Sequence, residues 1–199
     1  MILTVTLNAS IDKLYLVEKM RVGEVNRVSS CRYSAGGKGL NVSRAAVIAG
    51  EKVTATGFAG GHNGALLEEL AEKDGIRTEF VHVAGETRSC INIMDAAAGI
   101  QTEFLEGGET VPQEKSAELE QRYRELLVQA EVVTISGSAP KGTDDEIYVR
   151  LIQAARDCGI PVLLDTSGTM LQKSICAGPT LIKPNQDEIR QLTGKGELS

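Results

Sequence analysis

Residues 34–45 read SAGGKGLNVSRA, a polar β-like run that passes into a helix across three glycines and a lysine. Glycine lets backbone come close to a ligand, and a helix starting directly after it aims free N–H groups at whatever lies there. An anion or a polyhydroxyl compound suits such a turn. The P-loop spacing is absent, because Arg32 stands where the first glycine of that motif belongs and Gly39 follows Gly37-Lys38 in place of Ser or Thr. The dinucleotide pattern G-x-G-x-x-G fails too, with Val42 at its last glycine position. The competing reading is a plain tight turn that begins a helix. Lys38 and Asn41 weigh against it, since a charged donor and an amide one helical turn apart can converge on one ligand.

On either side of this turn, short apolar and β-branched runs alternate with amphipathic helical stretches. ILTVTL (2–7), KVTATGF (52–58), VVTISG (132–137) and IPVLLD (160–165) read as strands, whereas Gly39–Ala49, Gly64–Lys73, Ser116–Gln129 and Asp145–Asp157 read as helices. That alternation predicts an α/β fold with a parallel sheet covered on both faces, and such sheets bind ligands at the carboxyl ends of their strands. Two regions break the pattern. Residues 13–18 with 27–34, and 87–94 with 101–105, read as β-ribbons with no helix between their strands. Inserted in an α/β chain, they predict a small separate sheet that serves as a lid or an oligomer contact.

With 199 residues, 42% hydrophobic and 24% charged, the chain has the composition of a globular domain, and no internal repeat or low-complexity tract interrupts it. The formal net charge of -6 argues against broad binding to nucleic acid or to anionic membranes. Any anionic ligand is therefore held by a local cluster of donors. Cys31, Cys90, Cys158 and Cys176 are scattered without a C-x-x-C pair, sit in or beside apolar segments, and read as internal, reduced thiols. The start MILTVTLNAS has neither the basic end nor the apolar run of a signal peptide, and no run reaches bilayer length. A cytoplasmic protein is the expectation.

Asp12, in LNASID, follows the first strand at the end where such sheets bind ligands; alone it reads equally well as a solvated loop carboxylate. Arg88, in GETR, stands where the second ribbon begins and offers a bidentate donor to phosphate. SGSAPKG (136–142) closes another strand with small residues, and Asp165-Thr166-Ser167-Gly168 closes a fourth, as a turn or as part of a nucleotide site. In LIKPNQDE (181–188) a strand runs into a helix, with Asn185 as N-cap and Glu188 as its reciprocal partner. The same segment can place Lys183 on phosphate while Asn185 and Glu188 organise hydrated Mg²⁺. His62 and His82 lack partners at metal spacing and read as structural or surface residues.

Taken in order, LNASID, AGGKGLNVSRA, ATGFAGGHNG, GETR, ISGSAPKG, LDTSG and IKPNQDE resemble the ribokinase-like sugar kinases of the phosphofructokinase B family, over essentially the whole chain. The resemblance implies a three-layer α/β/α domain with a mostly parallel central sheet and a small β-sheet lid. It also implies ATP-dependent phosphorylation of a ketohexose monophosphate to a 1,6-bisphosphate, with Mg²⁺. Within the family the chain is similar to the branch of 1-phosphofructokinase and tagatose-6-phosphate kinase. VGEVNRVSS leans to the former, which makes fructose 1-phosphate the favoured acceptor; GETRSCI and QTEFLE lean to the latter, with tagatose 6-phosphate the alternative. By the same resemblance Asp12, Gly36, Gly37 and Asn41 hold sugar hydroxyls, and Arg88 and Ser138 meet the sugar phosphate or its loop, with Lys38 as a further donor. Arg27 reaches the substrate of a partner subunit in a homodimer formed through the lid. Lys183, Asn185 and Glu188 serve ATP and, through water, the metal.

The family's G-A-G-D motif, which supplies the catalytic base and an anion hole, does not occur in these residues. The base is expected beyond Ser199, so the 199 residues are expected to be the N-terminal part of a kinase domain, inactive alone and with an unpaired sheet edge. If the chain is complete, the alternative is a sugar-phosphate-binding module without catalysis.

Overall fold

A computed structural model describes residues 1–193. In chain order the strands are β1 (Ile2–Thr6), β2 (Ser10–Val17), β3 (Ser30–Gly36), β4 (Val53–Gly60), β5 (Arg77–Thr78), β6 (Val81–Val83), β7 (Arg88–Asp95), β8 (Ile100–Leu105), β9 (Val132–Ser136), β10 (Val162–Asp165) and β11 (Leu181–Ile182). The helices are α1 (Lys38–Ile48), α2 (Gly61–Lys73), α3 (Gln113–Leu127), α4 (Ile147–Asp157), α5 (Gly168–Ile175) and α6 (Gln186–Thr193).

The four apolar runs become the centre of one parallel sheet, in the order β11-β10-β9-β1-β4-β5, with β6 also paired to the end of β4. These strands read as continuous apolar runs because both faces are covered. Leu3, Val5 and Ile135 pack with Leu119, Tyr123, Tyr148 and Leu151 of α3 and α4 on one side. Val53 and Ala55 pack with Leu40 of α1 and Leu67 of α2 on the other. The layered α/β/α architecture is the expected one.

Alternation along β1 explains the threonines in a buried strand. Leu3 and Val5 point to the α3–α4 layer, and Thr4 turns to α1, where its hydroxyl and that of Ser43 share a 2.7 Å hydrogen bond. Small residues on α1, with Gly39 and Ser43 fully buried, let that helix lie close to the sheet.

The two ribbons join into one four-stranded sheet in the order β3-β2-β7-β8. Each ribbon is antiparallel, and β2 runs parallel to β7 over eight residue pairs, Ser10↔Arg88 to Val17↔Asp95. Only three residues separate β1 from β2, so the chain passes from the large sheet to the small one at Leu7-Asn8-Ala9.

Some local expectations differ from the structure. Asp12 lies within β2 and not in a loop. β3 starts at Ser30, and Arg27 lies in the exposed connection before it. Helix α5 was not foreseen, since DTSG reads as a turn and the helix behind it is only eight residues long. The cysteines are not internal: Cys31, Cys158 and Cys176 are exposed and Cys90 is half-buried, all with free thiols. Cys31 sits on the outer half of β3, and Cys158 and Cys176 end α4 and α5, where the chain turns back through solvent. At the edge of the large sheet among the described residues, Leu181 of β11 is 51% exposed. No helix among them is long and apolar enough to cross a membrane.

Candidate active site

The carboxyl ends of β1, β9 and β10 and the inner face of the small sheet meet around the glycine turn. Gly37, at φ 107, is the N-cap of α1, in a conformation that side chains rarely adopt. No side chain caps that helix, so N–H groups of its first turn face the opening. At Gly36 the constraint is space: a Cβ there would overlap the carboxyl group of Asp12. The pairing Asp12↔Ser34, two residues before Gly36, brings that carboxylate onto the turn.

Asp12, Gly37, Lys38, Asn41 and Arg88 line one cavity of about 610 Å³ between the turn and the small sheet. Alternate residues of all four small strands face it, in rows set by the register. Ser34, Asp12, Cys90 and Leu105 form one row, and Arg32, Leu14, Asn92 and Glu103 the next. Four cationic side chains (Arg32, Lys38, Arg44 and Arg88) border it against two carboxylates, Asp12 and Glu103, while Lys13 points to the other face of the small sheet over Tyr33; of the four, Arg44 is paired with Asp74 and Lys38 with Asp165. In a chain of net charge -6 this is a local reversal of sign, suited to an anionic ligand with hydroxyls.

The polar groups are held in place by neighbours. Asp12 Oδ1 accepts from Ser10 Oγ at 2.7 Å. Arg88 donates through Nε and Nη2 to the carbonyl of Asn8 at 3.2 and 3.1 Å, and through Nη1 to that of Glu106 at 3.0 Å. A guanidinium has five N–H donors, so two remain for a ligand. The preceding Glu86 accepts from the backbone N–H of His62 and Asn63 at the start of α2, and these bonds, that from Asn63 foremost, hold its carboxyl below the ordinary glutamate range.

Ser138 lines a smaller adjoining cavity of about 200 Å³ that shares Gly37, Lys38 and Arg88 with the first. Asn8 Nδ2 donates to Ser138 Oγ at 3.3 Å. Thr6, which lines this cavity, is 2% exposed, and its hydroxyl is buried beside Gly39 with no hydrogen-bond partner.

The remaining candidates lie apart. Lys183 Nζ is 3.2 Å from Asp165 Oδ2, and Lys38 Nζ is 3.5 Å from Oδ1 of the same carboxylate, which thus links the glycine turn to the β11–α6 turn. Asn185 and Glu188 form the reciprocal cap: Glu188 N donates to Asn185 Oδ1 at 2.9 Å, and Asn185 N to Glu188 Oε2 at 2.8 Å. None of these three lines either cavity, nor does Arg27. His82 pairs with Glu68 at 3.0 Å, and no group of three or more His, Cys, Asp or Glu that could hold a metal occurs among the described residues.

Reading the sequence alone missed Ser10, Asn8 and Arg44. Arg44 had a signal in its spacing, three residues after Asn41 on the same helix face. Asn8 had none, since its partners Ser138 and Arg88 are remote in the chain.

A model of the pfkB family carbohydrate kinases matches residues 5–197. A tagatose-6-phosphate kinase of Staphylococcus epidermidis is 42% identical over 194 residues, which are 96% of this chain and 62% of that enzyme. Among solved structures, a possible 1-phosphofructokinase of Thermotoga maritima superposes with a TM-score of 0.87 at 33% identity, over 98% of this chain and 62% of the other. The tetrameric inhibited form of phosphofructokinase-2 from Escherichia coli gives 0.91 at 30% identity, over 100% and 65%. The chain thus spans 62% of the length of the curated relatives it matches.

Proposed function

The chain belongs to the pfkB family of carbohydrate kinases, and from that membership we propose that it supplies the acceptor-binding side of an enzyme that phosphorylates a ketohexose monophosphate with ATP. The observation that carries the reading is the cavity beside Asp12 and Arg88, lined by four cations against two carboxylates and faced by the open N-terminus of α1. A neutral sugar does not need that excess of positive charge; a sugar phosphate does.

In this reading Asp12, Asn41 and the backbone at Gly36 and Gly37 hold the sugar hydroxyls. Arg88, Lys38 and Ser138 hold its phosphate, with Arg88 donating through the two N–H bonds it does not spend on Asn8 and Glu106. Transfer to an alcohol depends mainly on positioning and on stabilising charge on the phosphate oxygens. The acceptor side of that positioning is what these residues provide, and we assign no catalytic base among them.

The donor side falls to the β11–α6 turn, where the exposed Lys183 ammonium suits ATP phosphates. Asn185 Oδ1 and Glu188 Oε2 are already spent on the helix cap, which leaves Glu188 Oε1 as the free carboxylate oxygen. That set fits hydrated Mg²⁺ held through water better than direct chelation. Bound there, the metal would neutralise charge on the donor phosphates. Arg27, exposed before β3, serves a partner's cavity in a homodimer paired through the small sheet, which acts as a lid.

Of the two acceptors, fructose 1-phosphate is favoured by VGEVNRVSS; the 42% identity to a tagatose-6-phosphate kinase supports tagatose 6-phosphate as the second reading. A coupled ADP-release assay on the full-length protein tests both. Turnover of either ketohexose monophosphate is expected, and turnover of ribose or adenosine with neither of these refutes the proposal.

A further inference from the structure

Arg44 is engaged at all three of its guanidinium nitrogens. Nε donates to Asp74 Oδ2 at 2.8 Å, Nη1 to Asn41 Oδ1 at 2.9 Å, and Nη2 to the carbonyl of Ala35 at 2.7 Å. The partners lie on three segments: Asp74 is the C-cap of α2, Asn41 is in the first turns of α1, and Ala35 is the residue before the last of β3, next to the glycine turn. Asp74 lines neither cavity, so the clamp is anchored outside the site.

We infer that Arg44 is a positioning residue that fixes which end of the Asn41 amide faces the cavity. A free asparagine amide offers its oxygen or its NH₂ by a half-turn. A guanidinium is donor-only and therefore takes the oxygen. With Oδ1 held by Arg44, the NH₂ is the group left for a ligand. Asp12 Oδ1 already accepts from Ser10, so the second carboxylate oxygen is its free acceptor. A donor and an acceptor fixed on one cavity suit a hydroxyl, which both donates and accepts, better than a carbonyl or an ionised phosphate oxygen, which only accepts. Read with the function proposed above, on which its ligand side rests, Arg44 makes Asn41 a hydroxyl reader. Its bond to Ala35 braces the same turn from the side of the small sheet.

The test compares wild type with Arg44→Ala, Arg44→Lys and Asp74→Asn in the full-length protein, and needs no ligand for its first readout. In ¹⁵N relaxation the Asn41 side-chain amide is ordered in wild type and becomes mobile in Arg44→Ala. In the second readout, KM for the ketohexose monophosphate rises about 10-fold in Arg44→Ala while KM for ATP is unchanged, and that rise vanishes in an Asn41→Ala background. Arg44→Lys keeps the charge but cannot span three acceptors, so it behaves like Arg44→Ala. Asp74→Asn, which leaves every cavity residue in place, shifts both readouts the same way and by less. An Asn41 amide equally ordered with and without Arg44 overturns the inference, as does full rescue by lysine. A wild type that turns over no ketohexose monophosphate overturns the functional reading instead, and the relaxation data then decide the role of Arg44 alone.

Discussion

Replacing Gly36 by alanine separates binding from stability at one atom. Gly36 is not in the positive-φ region, so its backbone accepts alanine without conformational strain. The new methyl would occupy the space of the Asp12 carboxyl group, which is the far end of a side chain and can rotate away. Rotation breaks the 2.7 Å bond from Ser10 and removes the carboxylate from the cavity wall. The bond from Ser10 ends on a carboxylate at a partly open site, so its loss costs about 1.5 kcal/mol of stability, the low end for a bond to a charged group. The loss of a charge-assisted bond to the ligand is about 1.5–3 kcal/mol, which converts to roughly 10- to 150-fold in affinity. Titration calorimetry with the ketohexose monophosphate, alongside thermal unfolding, reads both. The expected pattern is a small fall in Tm with a large fall in affinity, and Asp12→Ala should show the same binding loss. Wild-type affinity in Gly36→Ala would refute the assignment of Asp12 to the sugar.

Removing the reciprocal cap with Asn185→Ala should destabilise α6 by about 1 kcal/mol, read as faster amide exchange at Glu188 and Ile189; unchanged exchange would show that the cap contributes nothing there. Glu86 tests a pH dependence. Its carboxyl is held below the ordinary glutamate range by the Asn63 and His62 N–H groups, so its stabilising contribution is present above that range and is lost as pH falls through the lowered value. The stability gap between wild type and Glu86→Gln should therefore narrow from about pH 6 to about pH 3, and a constant gap would contradict the role of the charge.

The large sheet was legible because its strands are buried on both faces and so appear as apolar runs, as in ILTVTL and VVTISG. The ribbons were legible because strand-like runs follow one another there with no helical stretch between them, at 13–18 with 27–34 and at 87–94 with 101–105. What no local pattern encodes is the parallel pairing of β2 with β7, which makes the two ribbons one wall and aligns Asp12 with Cys90. The short β5 and β6 escaped because two or three residues carry no period.

The same divide runs through the site. Glycine spacing marked the turn with Lys38 and Asn41, and the GETR segment at the start of the second ribbon marked Arg88. The contacts that hold those side chains still did not show, because each acts across the fold: Asn8 on Arg88 and Ser138, Asp74 on Arg44, and Asp165, visible only as part of a turn, between Lys38 and Lys183. Asp12 was found but placed in a loop, when its position in β2 is what fixes its direction.

The central claim is that this cavity grips a phosphorylated ketose through Arg88. The direct measurement is calorimetric binding of a ketohexose monophosphate and of the same ketohexose without phosphate, to wild type and to Arg88→Lys, which keeps a cation but not the fork that ties Asn8 to Glu106. Wild type is expected to prefer the phosphorylated sugar by at least about 10-fold, and Arg88→Lys to lose most of that preference. Equal affinity for the two sugars in wild type, or an undiminished preference in the variant, would contradict the claim.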